Sequence, residues 1–353
     1  MRNKRRRPLY KRTVLLLAAL LLVLPPVACM AAEGPEEKDG LSGYGKLSVQ
    51  GTRLCAEDGS PIVLRGISSH GLAWFPEYIS YPSLKTLREY GANVFRVAVY
   101  PAQNDGYLEE PELNRKLLYA AIENALAADM YVIVDWHVLQ DKNPLKHKDK
   151  AKEFFKDIAE RYRQEPGILY EICNEPNGST SYADIKQYAK EVIPVIRKYA
   201  ADAVVLVGTP KFCTTLEDAI KDPLPFENIM YTYHYYSDVS DCRYARSQIT
   251  KALDNGIPVF ASEWGYKVES KTLNRDTESL DLFLDFLEER GISWVNWALS
   301  NKKESYSFIS SKSKALSGWT EEELTPSGKY VVARLKERPD ASAASKAQEE
   351  GYS

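Results

Sequence analysis

Two glutamates and three histidines occupy positions suited to chemistry. Glu175 follows Cys173-Asn174 and precedes Pro176, just past an apolar run at 168–172. Glu263 follows Ser262 and precedes Trp264-Gly265, just past a second run at 258–262. Burying a carboxylate is costly unless it is paired, so residues at such points are placed for a partner or for a reaction. The structural reading pairs them with Arg96 or Lys302. The chemical reading sets two carboxyls about one glycosidic bond. One protonates the leaving oxygen, and the other attacks the anomeric carbon or activates water. Of the 4 histidines, His70, His137 and His234 fall at or just after an apolar run, whereas His147 does not. Three imidazoles so placed also suit a metal-dependent hydrolase. The His-x-His that such barrels often carry after the first strand is absent.

The elements that must position these groups are legible as a rhythm. Short apolar or β-branched runs recur at 62–67, 93–99, 131–135, 168–172, 203–208, 228–232, 258–262 and 291–296. They are nearly continuous in apolar character, as parallel strands covered on both faces should be. The stretches between them suit helices. At 112–129, Leu113, Leu117, Ala120, Ala121 and Ala125 make one apolar face, and at 277–290 Leu280, Phe283, Leu284 and Leu287 make another. Eight strand–helix units predict an α/β protein of the (β/α)8 TIM-barrel type, whose active site lies at the C-terminal ends of the strands. An open doubly wound sheet is the alternative, but no Gly-rich phosphate loop follows the first strand.

The chain has 353 residues and a formal charge of −3, without the basic surplus of a nucleic-acid binder. Only 5 cysteines and 4 histidines argue against a disulfide scaffold or a many-ligand metal protein, and no cofactor is expected. Residues 1–32 hold Arg2, Lys4, Arg5, Arg6, Arg7, Lys11 and Arg12, no acid, and an apolar run at 14–24. This pattern predicts a secretory signal peptide, after whose removal the chain is markedly acidic. An uncleaved anchor and a lipid on Cys29 are the alternatives for a cell-surface form. Residues 33–43 read as a linker, 44–336 as one catalytic domain and 337–353 as a disordered tail. No separate carbohydrate-binding module is visible, and a monomer is expected.

Several motifs resemble glycoside hydrolase family 5, in particular its bacterial endoglucanase branch. They are Leu64-Arg65-Gly66, Ser69-His70-Gly71-Leu72-Ala73-Trp74, Asp135-Trp136-His137, Asn174-Glu175-Pro176, Val207-Gly208-Thr209-Pro210, Tyr231-Thr232-Tyr233-His234-Tyr235-Tyr236, Ser262-Glu263-Trp264-Gly265 and Ile292-Ser293-Trp294-Val295-Asn296-Trp297. The resemblance continues through Gly318-Trp319-Thr320 and Pro326-Ser327-Gly328 and spans the whole barrel region. It implies a secreted retaining endo-β-1,4-glucanase acting on β-glucan polysaccharide. Glu175 would be the acid/base and Glu263 the nucleophile, with carboxyls about 5–5.5 Å apart. Asn174 would bind the sugar 2-OH, and Arg96 would keep Glu263 ionised. Tyr236 would contact the nucleophile through its hydroxyl. His137 and His234 would line the cleft and orient Glu175 and the sugar. His70 and Tyr100 suit the glycone side, Trp297 the floor beside the cut, and Trp74 the next platform outward. Lys302 and Glu304 match positions that bind glycone hydroxyls, with Lys303 a competing register.

Departures from the pattern matter too. Phe212 stands where a Trp is usual, which weakens an expected leaving-group subsite. Tyr266-Lys267-Val268-Glu269 replaces a Ser/Gly-rich loop, and Ala298 replaces a common Ser. By strand alternation Trp136 packs against helices, and Trp264 and Trp294 read as structural. Cys173 is expected as a free thiol. Cys213 and Cys242 follow neighbouring strands, which leaves a disulfide open in an oxidising compartment. Mannan, xyloglucan or mixed-linkage glucan are alternative substrates on the same barrel. A catalytically dead glucan binder is disfavoured, since both glutamates are kept.

Overall fold

The apolar runs become eight parallel strands that close on themselves. They are β1 (Arg65–Ser69), β2 (Val94–Val99), β3 (Tyr131–Trp136), β4 (Ile168–Glu171), β5 (Val205–Val207), β6 (Ile229–Tyr236), β7 (Val259–Gly265) and β8 (Trp294–Leu299). Each pairs with the next, and β8 pairs with β1, so the barrel has no edge. The computed structural model describes residues 39–266 and 273–337. The expected signal peptide, the tail beyond Glu337, and Lys267, Val268 and Glu269 lie outside those residues.

Helices α1 (Tyr81–Glu89), α2 (Pro111–Ala127), α3 (Lys148–Arg161), α4 (Tyr182–Arg197), α5 (Glu217–Lys221), α6 (Cys242–Asp254), α7 (Leu273–Glu289) and α8 (Pro326–Lys336) accompany the strands. The start of α4 shows why they form where they do. Ser181 accepts from the Asp184 amide, and Asp184 returns a carboxylate to the Ser181 amide, which satisfies two orphan donors. Ile185, Tyr188, Ala189, Val192, Ile193 and Ile196 then repeat at helical spacing and are buried.

Alternation along the strands builds the barrel in layers. On β2, Val94 joins the lower apolar interior, Arg96 lies above it, and Ala98 joins the aromatic cluster at the top. Phe95, Val97 and Val99 face the helices. The lower interior is filled by Leu64, Tyr131, Ile133, Leu169, Leu206, Met230, Phe260 and Val295. The axis therefore passes from hydrocarbon to ionic groups to open cleft. β1 starts later than its apolar run because Ile62 instead pairs back to Leu54, in a hairpin (Ser48–Gln50 and Arg53–Cys55) at the barrel's foot. β6, β7 and β8 run further than their apolar stretches. Their last residues are polar or aromatic, yet they still belong to the ladder.

One expectation is corrected, and one open point is answered. Residues 39–43 are docked rather than a linker: Asp39 pairs with Arg88 at 2.7 Å, and the helical turn Leu41–Tyr44 places Leu41 and Tyr44 against the lower interior. Cys213 and Cys242 form no disulfide; both are free, as are Cys55 and Cys173 among the described residues. The Cys213 thiol is committed inward, donating to the Asn174 carbonyl at 2.8 Å and accepting from the Thr232 hydroxyl at 3.0 Å, whereas Cys242 opens α6. Trp136 packs on Tyr107 and Phe154, as alternation predicts, and Trp264 packs on Trp294.

Candidate active site

The cleft at the C-terminal ends of the strands has a volume of about 620 Å³. Two local devices aim the glutamates into it. Asn174 adopts φ +35°, which turns the chain after β4, and the Glu175 amide is tied to the Val138 carbonyl at 3.1 Å. Gly208 lets this turn approach: a Cβ there would meet the Asn174 carbonyl oxygen at 2.4 Å. On β7 the pairing register with β6 shifts between Thr232 and His234. An irregularity of this kind lets the consecutive residues Ser262 and Glu263 both contact inward-facing groups.

Arg96 is the hub beneath the glutamates and has no exposed surface. Its Nε and Nη2 hold the two oxygens of Glu171 at 2.8 and 3.1 Å. Nη1 reaches Glu263 Oε2 at 3.0 Å, and Nη2 reaches Asn174 Oδ1 at 2.7 Å and Asp135 Oδ2 at 3.0 Å. A planar fork of donors suits such an array, in which every carboxylate needs a fixed direction. The other oxygen of Glu263, Oε1, accepts the Tyr236 hydroxyl at 2.5 Å. Glu263 thus faces two donors, one of them a full charge.

Glu175 has a different setting. Its Oε1 lies 2.8 Å from Nδ1 of His234, whose Nε2 lies 3.0 Å from the Ser262 hydroxyl. Ser262 donates to Glu171 at 2.9 Å. Counting donors assigns the protons along this chain. With its hydrogen given to Glu171, the Ser262 oxygen accepts from His234 Nε2–H. Burial lowers the His234 pKa and favours the neutral ring, leaving Nδ1 as an acceptor that the protonated carboxyl of Glu175 fills. In agreement, burial pushes Glu175 up to about 8, with Arg96 pulling down and Asp135 and Glu171 pushing up. Burial likewise pushes Asp135 up to about 7 against Arg96. Four carboxyls crowd one guanidinium, and burial favours the protonated form most at these two.

The remaining predicted residues assemble around the pair. His137 is kept neutral mainly by burial; its Nδ1 meets Asp135 at 2.6 Å, which leaves Nε2 as an acceptor. Its ring stacks on Trp297 at 5.1 Å and 18° and touches Tyr100 at 4.2 Å. Trp74 lies 4.6 Å from Tyr100, and its indole donates to the Asn104 carbonyl. At the far end Lys302 pairs with Glu304 at 2.6 Å, and both approach His70 Nε2. Although burial opposes it, these hydrogen bonds hold Glu304 below the usual carboxylate range. Lys302 lines the cleft, and Lys303 is not among the residues that line it. Phe212 also lines it, 48% exposed, on a turn where Lys211, Phe212 and Cys213 all have positive φ.

All thirteen predicted site residues therefore meet at one rim or directly beneath it. Sequence reasoning missed Glu171 and Ser262 in the network below, and Gln140, Lys211, Thr214, Ser240 and Tyr306 along the walls. Glu171 had a signal: it shares the inward face of its strand with Leu169. The wall residues lie in loops, where no periodicity marks a side chain's direction. Among the described residues His70, His137 and His234 do not form a ligand group. The trio that does converge is Glu175, His234 and Glu263, whose ligand atoms lie within 4.8 Å of one another.

Two carboxyls this close at the ends of β4 and β7, set in an aromatic cleft on a closed barrel, define a glycoside hydrolase. Residues 55–303 match the cellulase model of glycosyl hydrolase family 5, and the chain belongs to that family. Endoglucanase A of Butyrivibrio fibrisolvens is 41% identical over 303 residues, covering 84% of this chain and 70% of that protein. The endoglucanase of Clostridium saccharobutylicum is 38% identical over 324 residues, covering 91% and 72%. The catalytic domain of Thermobifida fusca endoglucanase Cel5A superposes with a TM-score of 0.79 at 35% identity, covering 84% of this chain and 99% of that one.

Proposed function

We propose that the protein is a retaining endo-β-1,4-glucanase that works by double displacement. The observation that carries this reading is the unequal setting of two carboxyls whose nearest ligand atoms lie within 4.8 Å. That spacing suits a nucleophile and leaves no room for an intervening water, which inverting enzymes need.

In the first step Glu263, held by Arg96 and Tyr236, attacks the anomeric carbon while Glu175 gives its proton to the departing glycosidic oxygen. A glycosyl ester forms on Glu263, and the C–O bond to the leaving chain breaks. Glu175, now a carboxylate, then takes a proton from water. The oxygen of that water attacks the same carbon and releases Glu263. Asn174, fixed by Arg96 and the Val138 carbonyl, would bind the sugar 2-OH. Sugar C–H faces would stack on Trp297 and Trp74. The cleft lining runs from Lys302 and Glu304 past the carboxyls to Lys211, Phe212 and Thr214, so a chain can extend both ways and be cut internally. A solved variant of the Thermobifida fusca enzyme holds cellotetraose, which supports a β-1,4-glucan as substrate. Residues 1–32 support secretion, which N-terminal sequencing of protein from the medium tests. The enzyme is proposed to act as a monomer, which light scattering tests.

Proton NMR of a digest should show the β anomer of the product first; an α anomer appearing first overturns the retaining mechanism. A panel of linear β-1,4-glucan, mixed-linkage glucan, xyloglucan and mannan, with product sizing, should show fastest release of mixed oligomers from the linear glucan.

A further inference from the structure

The Tyr236 hydroxyl must stay on Glu263 Oε1, and its ring, packed on one side against the aromatic cluster at the top of the barrel, needs a stop where it passes β7. Tyr236 is the last residue of β6, and its register partner on β7 is Gly265. A Cβ on Gly265 would lie 2.2 Å from the Tyr236 ring and 3.0 Å from the Tyr306 ring. The glycine makes room for both rings, and at this register position β7 supplies no side chain against the Tyr236 ring.

The stop comes from the loop after β8. Tyr306 meets Tyr236 edge-on, with centroids 5.2 Å apart at 83°. Its backbone is anchored, because its carbonyl accepts from the Ala298 amide at 3.2 Å. Its hydroxyl crosses the end of β7 and donates to both carboxylate oxygens of Asp238, at 2.8 and 2.9 Å. Asp238 lies in the turn that Tyr236 itself begins: the amides of Val239 and Ser240 both donate to the Tyr236 carbonyl, at 3.1 and 2.9 Å. The contacts therefore close a ring, from Tyr236 through its turn to Asp238, to Tyr306, and back to the Tyr236 side chain.

We propose that Tyr306 and Asp238 form a strap across the end of β7 that fixes Tyr236 and, through it, the attacking oxygen of Glu263. Tyr306 is a positioning residue in this arrangement; it acts only through Tyr236. The proposal rests on Glu263 as nucleophile.

The test is the rate at which an activated 2-deoxy-2-fluoro-cellobioside esterifies the full-length enzyme, followed by intact mass and peptide mapping. Tyr306→Phe keeps the ring contact and removes the strap, so labelling of Glu263 should slow about tenfold, the scale of one hydrogen bond to a charged partner. Asp238→Ala should slow it equally, and Asp238→Asn, which keeps an acceptor oxygen, should recover most of the rate. The double variant Tyr236→Phe/Tyr306→Phe should label no more slowly than Tyr236→Phe alone, because the strap has no other route to Glu263. Labelling of Tyr306→Phe at the parent rate, or losses that multiply in the double variant, overturn the strap. Label on any residue other than Glu263 in the parent enzyme overturns the nucleophile instead. Asp238 is exposed, so Asp238→Ala carries the test should Tyr306→Phe fail to fold.

Discussion

The ends of β4 and β7 carry the same residue type and make opposite use of it. At β7, Glu263 has a donor on each oxygen, Arg96 Nη1 on one and the Tyr236 hydroxyl on the other. At β4, Glu175 has a neutral imidazole on one oxygen, and burial pushes it up to about 8. Both carboxyls are nearly buried, at 8% and 4% exposure, so depth alone does not separate them. The partners do. A guanidinium and a phenol favour a group that attacks as an anion, whereas an acceptor nitrogen favours one that holds a proton to give away.

The sharpest way to break this comparison is to remove each carboxyl and change the leaving group. Glu263→Ala should lose turnover by about 10⁶-fold on every substrate, as removal of a nucleophile does. Glu175→Ala should lose about 10²–10⁴-fold on glucan, where the departing alcohol needs a proton. It should lose far less in the first step on a dinitrophenyl cellobioside, whose leaving group needs none. Burst kinetics on the two substrates measure both. Equal losses for the two variants on the activated substrate would exchange or abolish the roles.

Arg96 serves both ends and ranks next. Arg96→Met leaves Glu171, Glu263 and Asp135 without their shared cation in a buried layer beneath the cleft. Breaking a buried pair in this way costs about 3–5 kcal/mol, and urea unfolding should show it. Among residual activities, chemistry on the activated cellobioside should fall more than binding. A variant that unfolds as the parent does would mean that the carboxyls do not depend on the guanidinium.

How much of this arrangement was legible in the sequence depends on which rule placed each group. The strands were legible because parallel strands covered on both faces read as unbroken apolar runs, and the rim followed from the runs' ends. Family resemblance then supplied roles for residues such as Asn174 and Tyr236, whose contacts no pattern announces. Glu171 was overlooked although alternation from Leu169 points it inward. The paired use of Ser262 and Glu263 was not readable, because it depends on a register shift between β6 and β7 that leaves no mark in residue type. Tyr306 and Asp238 lie in two loops 68 residues apart, which meet only across the end of β7.

The smallest expected effect probes the β4 end alone. Glu175 must be protonated to act as acid, so turnover of glucan should fall as pH rises through about 8. Stability follows the same sign. The folded state keeps a proton that the unfolded chain releases near the ordinary glutamate value, so stability declines as pH rises from there towards about 8, and Glu175→Gln should flatten that decline in thermal melts. Ser262→Ala then tests what holds the proton in place. Without the Ser262 oxygen, His234 Nε2–H loses its acceptor; the next oxygen, on Glu171, is 3.9 Å away. The ring gains by moving its hydrogen to Nδ1 and donating to Glu175, which favours the carboxylate and shifts the alkaline limb to lower pH. One net hydrogen bond corresponds to about half to one pH unit. The limb of Ser262→Ala should shift by that much in the pH profile of kcat/KM, and a limb that stays put or moves upward would mean that His234 does not set the proton of Glu175.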